Sequence, residues 1–394
     1  MTGQDHDGRL AIRCAGPRRQ TPLGNAVRWR QGGQVIGRRL RQLIAQSWHT
    51  DEIRKYRPSP VDEAKWGFAT IEQTLWYSIP QFLREFDGVV FEHTGHHLPL
   101  IHAPIRFASW MGGDRDRNPN VTHAVTQEVL LLSRWQAAEL YWRDIDALRA
   151  ELSMQDCSPA LRAVVGDNCR EPYRELLRGV RDRLAATRDW LTARLRGEIY
   201  DDSQIYQHSE QLLQPLLLCY ESLISCNMAE IAHDELANII RRVACFGLQL
   251  LKLDIRQEST RHKDALNAIT DYLQLGDYQE WNETQRREFL LQELNNPRPL
   301  LPRHLKTQAD SLINQAPVQE VLATFKMLAQ QPSESLGAYV ISMAKQASDV
   351  LAVMLLQKEA EIAQPMRVVP LFETLADLNN AAKCLDELLS IDWY

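Results

Sequence analysis

The sequence predicts a mainly α chain with α/β structure: a helix-rich first half feeding into an incomplete (β/α) TIM-type barrel. Three observations predict it. From about Arg38 to Ile224, apolar residues recur three and four positions apart, the period of helices buried on one face. At Leu251, Leu253 and Ile255 the period becomes two, with Lys252, Asp254 and Arg256 between them, as in a strand. Two further strand candidates, Ala338 to Met343 and Arg367 to Phe372, flank a helical run from Ser348 to Ala360. Such a strand–helix–strand unit makes parallel strands, and three strands are too few to close a barrel of eight.

The elements follow in order. Arg38 to Thr50 is a basic helix, followed by a proline-bounded turn at Arg57-Pro58-Ser59-Pro60. A second helical segment runs from about Val61 through Phe86 on Trp66, Ile71, Leu75, Ile79 and Phe82, with a kink or restart expected at Pro80. Gly88 to Asn120 is rich in Gly, Pro and His and reads as a long loop with short extended pieces. The clearest helix follows, with Leu131, Trp135, Ala138, Trp142, Ile145, Leu148 and Leu152 on one face and Thr122 or Thr126 as its cap. Further helical periods cover Pro159 to Gly197 and Ser209 to Ile224. This organisation divides the chain at 1–37, 38–235 (helical) and 236–394 (partial α/β barrel).

Composition bounds the function classes. The 394 residues are 44% hydrophobic and 24% charged, enough for a large core, and the net charge of −6 argues against a dedicated nucleic-acid binder. The longest purely apolar run, Val350 to Leu356, is far too short to span a bilayer, and the polar start resembles no secretory signal. Seven scattered cysteines without a C-x-x-C pair read as reduced thiols of a cytoplasmic protein. The first 37 residues differ from the rest: they hold 7 of the 18 glycines, with six Arg, two Asp and neither Lys nor Glu.

Three stretches could carry chemistry. In Ser109-Trp110-Met111-Gly112-Gly113-Asp114-Arg115-Asp116-Arg117, two glycines allow close backbone approach and the charges offer anion-binding forks; a solvated surface turn is the plainer alternative. In Asp254-Ile255-Arg256-Gln257-Glu258, Arg256 stands at the carboxyl end of a strand, the edge where barrels bind substrate, or else forms a structural ion pair there. Glu373, after the last strand, reaches the same edge as a Mg²⁺ ligand or as a carboxylate favoured by a helix N-terminus. The tract Glu92-His93-Thr94-Gly95-His96-His97 with His102 resembles a metal site only weakly and reads better as a solvated loop. Phosphate-loop, dinucleotide, serine-hydrolase and zinc-ribbon motifs do not occur.

Six ordered blocks give the chain a close resemblance to the bacterial type of phosphoenolpyruvate carboxylase. They are Trp48-His49-Thr50-Asp51-Glu52-Ile53-Arg54, Pro60-Val61-Asp62-Glu63-Ala64-Lys65-Trp66-Gly67-Phe68, Ser109 to Asp116, Leu253 to His262, Tyr339 to Lys345, and Pro370 to Leu375. The resemblance implies a helix-elaborated α/β barrel that joins phosphoenolpyruvate and bicarbonate into oxaloacetate and phosphate with Mg²⁺ or Mn²⁺. It also implies a cytoplasmic homotetramer under allosteric control, with neither nucleic acid nor membrane as partner. By the same resemblance Arg256 binds phosphoenolpyruvate, Glu373 is a metal carboxylate, and Asp114 and Arg115 belong to the glycine-rich loop near the catalytic site.

The chain departs from the family pattern at three places. Arg117 stands where the pattern has glycine. The family's Thr-Ala-His-Pro-Thr-Glu segment, expected before Arg38, does not occur, and neither does its Ser-Asp-Ser-Ala-Lys-Asp motif. Neither principal catalytic residue is therefore present. The expectation is a fragment that does not turn over alone, or a non-catalytic module that associates with a full-length carboxylase. The prefix before Arg38 is expected to be disordered or the product of a frameshifted start.

Overall fold

The computed structural model describes residues 22–50, 58–116, 118–301 and 311–394, which fall into two units divided between Pro58 and Ser59. Within the first unit α1 (Pro22–His49) runs without a break through the expected boundary at 37/38. The expectation for the prefix lies outside the described residues over 1–21; over 22–37 the chain is helical, since glycine lowers helix propensity by about 1 kcal/mol per site but does not forbid a helix.

The second unit opens on α2 (Pro60–Thr70), whose Ser59 cap and Asp62 bond each other's backbone in a capping box with proline at the first position. A π turn, Ile71–Leu75, leads into α3 (Trp76–Thr94), so the break expected at Pro80 falls one turn earlier. Pro80 has no N–H for the carbonyl of Trp76, four residues back. The Nε of Arg242 supplies that hydrogen bond instead, at 2.9 Å. The same guanidinium meets Asp144 at 2.9 Å and Glu235 at 2.6 Å, while the Trp76 indole donates to Asp144 at 2.9 Å. Burial pushes Asp144 up to about 6 against this pairing.

After β1 (Ala108–Ser109) comes α4 (His123–Glu151), capped by Thr122, whose side chain accepts from the Val125 N–H. The apolar stripe expected on α4 is buried at Ala138, Ile145, Leu148 and Leu152, but it is only part of the buried surface. Leu131, Trp135 and Trp142 are only half-buried, whereas Leu130, Arg134, Ala137, Tyr141, Ile145 and Leu148 are buried. Several helices surround α4, so no single stripe marks its contacts.

The helical layer continues through α5 (Pro159–Val165), α6 (Pro172–Leu195), α7 (Ser209–Ser225), α8 (Ala229–Ile231) and α9 (Ala237–Phe246). Then β2 (Lys252–Glu258), α10 (Ser259–Tyr272), α11 (Glu283–Asn295), α12 (Ala316–Leu328), β3 (Leu336–Ser342), α13 (Ala347–Glu359), β4 (Arg367–Pro370) and α14 (Leu375–Leu389) complete it. The four strands form one parallel sheet in the order β1-β2-β3-β4. All three predicted strands are present. The sheet takes its fourth member, β1, from the region read as a long loop with short extended pieces, and β1 pairs with β2 within one unit, 59–394.

Two close approaches knit the sheet. The Asp254 carboxylate accepts from the Ala338 N–H at 2.7 Å, directly beside Gly337, where a Cβ would lie 2.0 Å from the same oxygen. Pro370 sits at the end of the edge strand β4, where its missing donor costs no ladder bond. Among the described residues no helix is long and apolar enough to cross a membrane. The six described cysteines are free; Cys14 lies outside the described residues.

Candidate active site

The carboxyl ends of β2 and β4 and the loop after β1 meet at Arg256. The loop joins the sheet directly: the Arg256 N–H donates to the Gly113 carbonyl and the Arg115 N–H to the Arg256 carbonyl, both at 2.9 Å, in a parallel bridge between Asp114 and Arg256. Its glycines are required by this approach. A Cβ on Gly113 would lie 2.0 Å from the Asp254 carbonyl oxygen, and Gly112 has a φ of +81° with Val129 2.6 Å from any Cβ.

Because the segment is extended there, alternate side chains take opposite sides. Asp114 and Asp116 face Arg256: Nη2 lies 2.8 Å from Oδ2 of Asp116, and Nε lies 3.8 Å from Oδ1 of Asp114. Arg115 turns the other way into the protein. Its Nη1 donates to the Gly113 carbonyl at 3.1 Å and its Nη2 to the Thr126 hydroxyl at 2.7 Å, and that hydroxyl donates to the Gly112 carbonyl. Burial lowers the Arg115 pKa. Arg115 thus braces the loop against α4 and presents no charge to the rim. Arg117 lies outside the described residues, as do residues 51–54 of the first family block.

Glu373 closes the arrangement from β4, with Oε1 2.8 Å from Nη2 of Arg256. One guanidinium is therefore shared by three carboxylates, and its side chain stays 27% exposed. Beside it Met343, just past β3, is left-handed at φ 55°, its carbonyl held by the Ser259 hydroxyl at 2.9 Å. Asp116 is the member that the sequence reading left out of its site; the period-two spacing from Asp114 was the available signal. His262, in the same block as Arg256, is buried in the core, bonded to the Tyr339 hydroxyl at 2.8 Å and lowered to about 4 by burial.

The carboxylates converge on Arg256 and not on one another as a cation cage. Among the described residues no group of three or more His, Cys, Asp or Glu side chains could hold a metal ion. Glu373 offers one carboxylate with one oxygen already engaged, which falls short of a Mg²⁺ site. In the histidine tract, Gly95 ends α3 at φ 71°, and His97 stacks on Phe91 and lies 3.0 Å from Asp87.

The comparisons with known proteins converge. The family profile described as phosphoenolpyruvate carboxylase matches residues 25–394. The chain belongs to the phosphoenolpyruvate carboxylase family. The match begins 13 residues before Arg38, inside α1, so residues 25–37 of the compositionally distinct prefix match the family as well. The chain is 61% identical over 355 residues to a phosphoenolpyruvate carboxylase of Acinetobacter baylyi, covering 90% of this chain and 40% of that protein. It is 59% identical over 355 residues to one of Acinetobacter baumannii, with the same coverage of both chains. With one of Pseudomonas aeruginosa it shares 57% over 359 residues, 91% of this chain and 40% of the relative. The chain thus spans about two fifths of the length of these curated relatives.

Proposed function

We propose that this chain carries part of the phosphoenolpyruvate site of a phosphoenolpyruvate carboxylase, with Arg256 as the group that meets the substrate's anionic end. The observation that supports it most is the meeting of three distant segments at a partly exposed guanidinium on the carboxyl edge of the sheet. In this reading the reaction is addition of bicarbonate to phosphoenolpyruvate, giving oxaloacetate and phosphate in the cytoplasm of a homotetrameric, allosterically controlled enzyme. The sheet is then the first half of a TIM-type barrel. Glu373 is one protein ligand of Mg²⁺ or Mn²⁺, and the ion needs further oxygen ligands from outside the described residues.

In this reading the chain does not turn over alone. One guanidinium against three carboxylates leaves a formal charge of about −2 at the rim, which repels an anionic substrate. Phosphoryl transfer requires a surplus of positive groups around the transferring oxygens.

The test is an assay of the purified chain for oxaloacetate from phosphoenolpyruvate, bicarbonate and Mg²⁺, coupled to NADH oxidation. The expected result is no turnover above the blank; a rate near that of an ordinary carboxylase overturns the reading. A second reading, an interaction module for a full-length carboxylase, is favoured by the exposed Leu375, Leu378, Leu385 and Leu389 of α14. Co-purification of the tagged chain with a full-length carboxylase would favour it.

A further inference from the structure

A cavity of about 260 Å³ lies away from the Arg256 rim, where the chain enters β2 and β3, between α4, α6 and the residues that follow α12. Its wall carries two guanidinium groups against one lining carboxylate, Asp202, with the Glu334 charge acting on Arg134 from nearby. Arg134, on α4, is 7% exposed; its Nη2 donates to the Tyr206 carbonyl and its Nε has no acceptor. Arg194, on α6, lies exposed at the same wall. The Trp190 ring lies 5.4 Å from the Arg134 guanidinium carbon and 5.8 Å from that of Arg194, so one indole serves both cations. Asp202 is the acidic side chain of the lining, and among the described residues neither arginine forms an ion pair.

A buried cation without a direct ion-pair partner is costly. Desolvation lowers Arg134 to about 10, as that cost requires. Gln249, 4% exposed, lines the same cavity and leaves its amide Nε2 without an acceptor. The wall therefore combines donors lacking acceptors, a positive surplus and a flat aromatic face.

We propose that this cavity is a binding site for a small organic oxyanion, a carboxylate or a phosphate ester, held by Arg134 and Arg194 against Trp190. Small rotations of the Arg134 and Gln249 side chains bring their unmet donors to the ligand oxygens. A planar or ring-bearing body then lies on the indole, as arginine-rich sites for such anions favour. The site uses none of the groups that meet at Arg256.

Inorganic phosphate and acetate are titrated separately into the full chain by calorimetry, and again into Arg194→Gln, Gln249→Leu and Arg256→Gln. Arg194 is exposed, so its replacement leaves the fold intact, as circular dichroism will verify. The expected result is one-site binding of at least one probe, weakened tenfold or more by Arg194→Gln and by Gln249→Leu, and unchanged by Arg256→Gln. Binding of phosphate alone supports a phosphate ester as ligand, and binding of acetate alone a carboxylate. No binding of either probe, or binding lost with Arg256→Gln but not with Arg194→Gln, overturns the proposal.

Discussion

Arg256 and Glu373, 117 residues apart in the chain, meet at 2.8 Å through Nη2 and Oε1. The contact is possible because both stand at the carboxyl edge of one parallel sheet, two strands apart, with β3 between them. Asp116 takes the same nitrogen at 2.8 Å, so the guanidinium is held from two sides before any ligand arrives.

Replacing Arg256 by Gln leaves three carboxylates facing one another across a partly desolvated rim. The variant is expected to lose about 1–3 kcal/mol of stability. Urea unfolding of both chains measures this, and an unchanged midpoint would show that the carboxylates relax apart without cost.

Gly113→Ala drives a Cβ to within 2.0 Å of the Asp254 carbonyl oxygen, which is backbone in a strand and cannot swing aside. The loop must move off β2, breaking the 2.9 Å bonds between Gly113, Arg115 and Arg256. A loss of at least about 2 kcal/mol is expected, of the size seen for overpacked cores. A crystal structure of the variant should show Asp116 displaced from Arg256.

Arg242→Met removes the donor that completes the Trp76 carbonyl opposite Pro80 and strands Asp144 and Glu235 without their cation. Breaking a buried pair from one side costs about 3–5 kcal/mol. Thermal unfolding near neutral pH should register a drop of that order. A double replacement with Asp144→Asn should recover part of it, because the stranded charge is gone.

Two buried groups give opposite pH dependences. His262, lowered to about 4 from an ordinary 6.5, binds its proton more weakly folded than unfolded, so its contribution to stability is lost as pH falls from 6.5 towards 4. Asp144, raised to about 6, binds its proton more tightly when folded, so it adds stability as pH falls through 6 towards 4. Each is worth about 2–3 kcal/mol at the end of its window. The two therefore offset each other in the native chain. His262→Gln should gain stability towards pH 4.5 relative to the native protein and Asp144→Asn should lose it. Parallel slopes for all three chains would contradict the assignment.

Much of this was legible in the chain because the signal was local. The alternation around Asp254 and Arg256 marked β2, Thr122, one of two threonines read as a cap, starts α4, and the ordered blocks marked the family. The two-residue strand β1 carried no periodic signal, being too short to show one, yet it carries the glycine loop to Arg256. The helix over residues 22–37 was hidden by its glycines, which weaken a helix without preventing it.

The order of residues was enough to mark helices, strands, family and the residue types at the rim, since each rests on neighbours within a few positions. It did not reveal that Arg115 turns inward to Thr126 while Asp116 turns to Arg256, nor that Arg242 replaces the donor missing at Pro80. Those choices rest on partners tens to more than a hundred residues away. Whether a charge faces solvent, a ligand or a buried carbonyl depends on which surfaces packing brings against it.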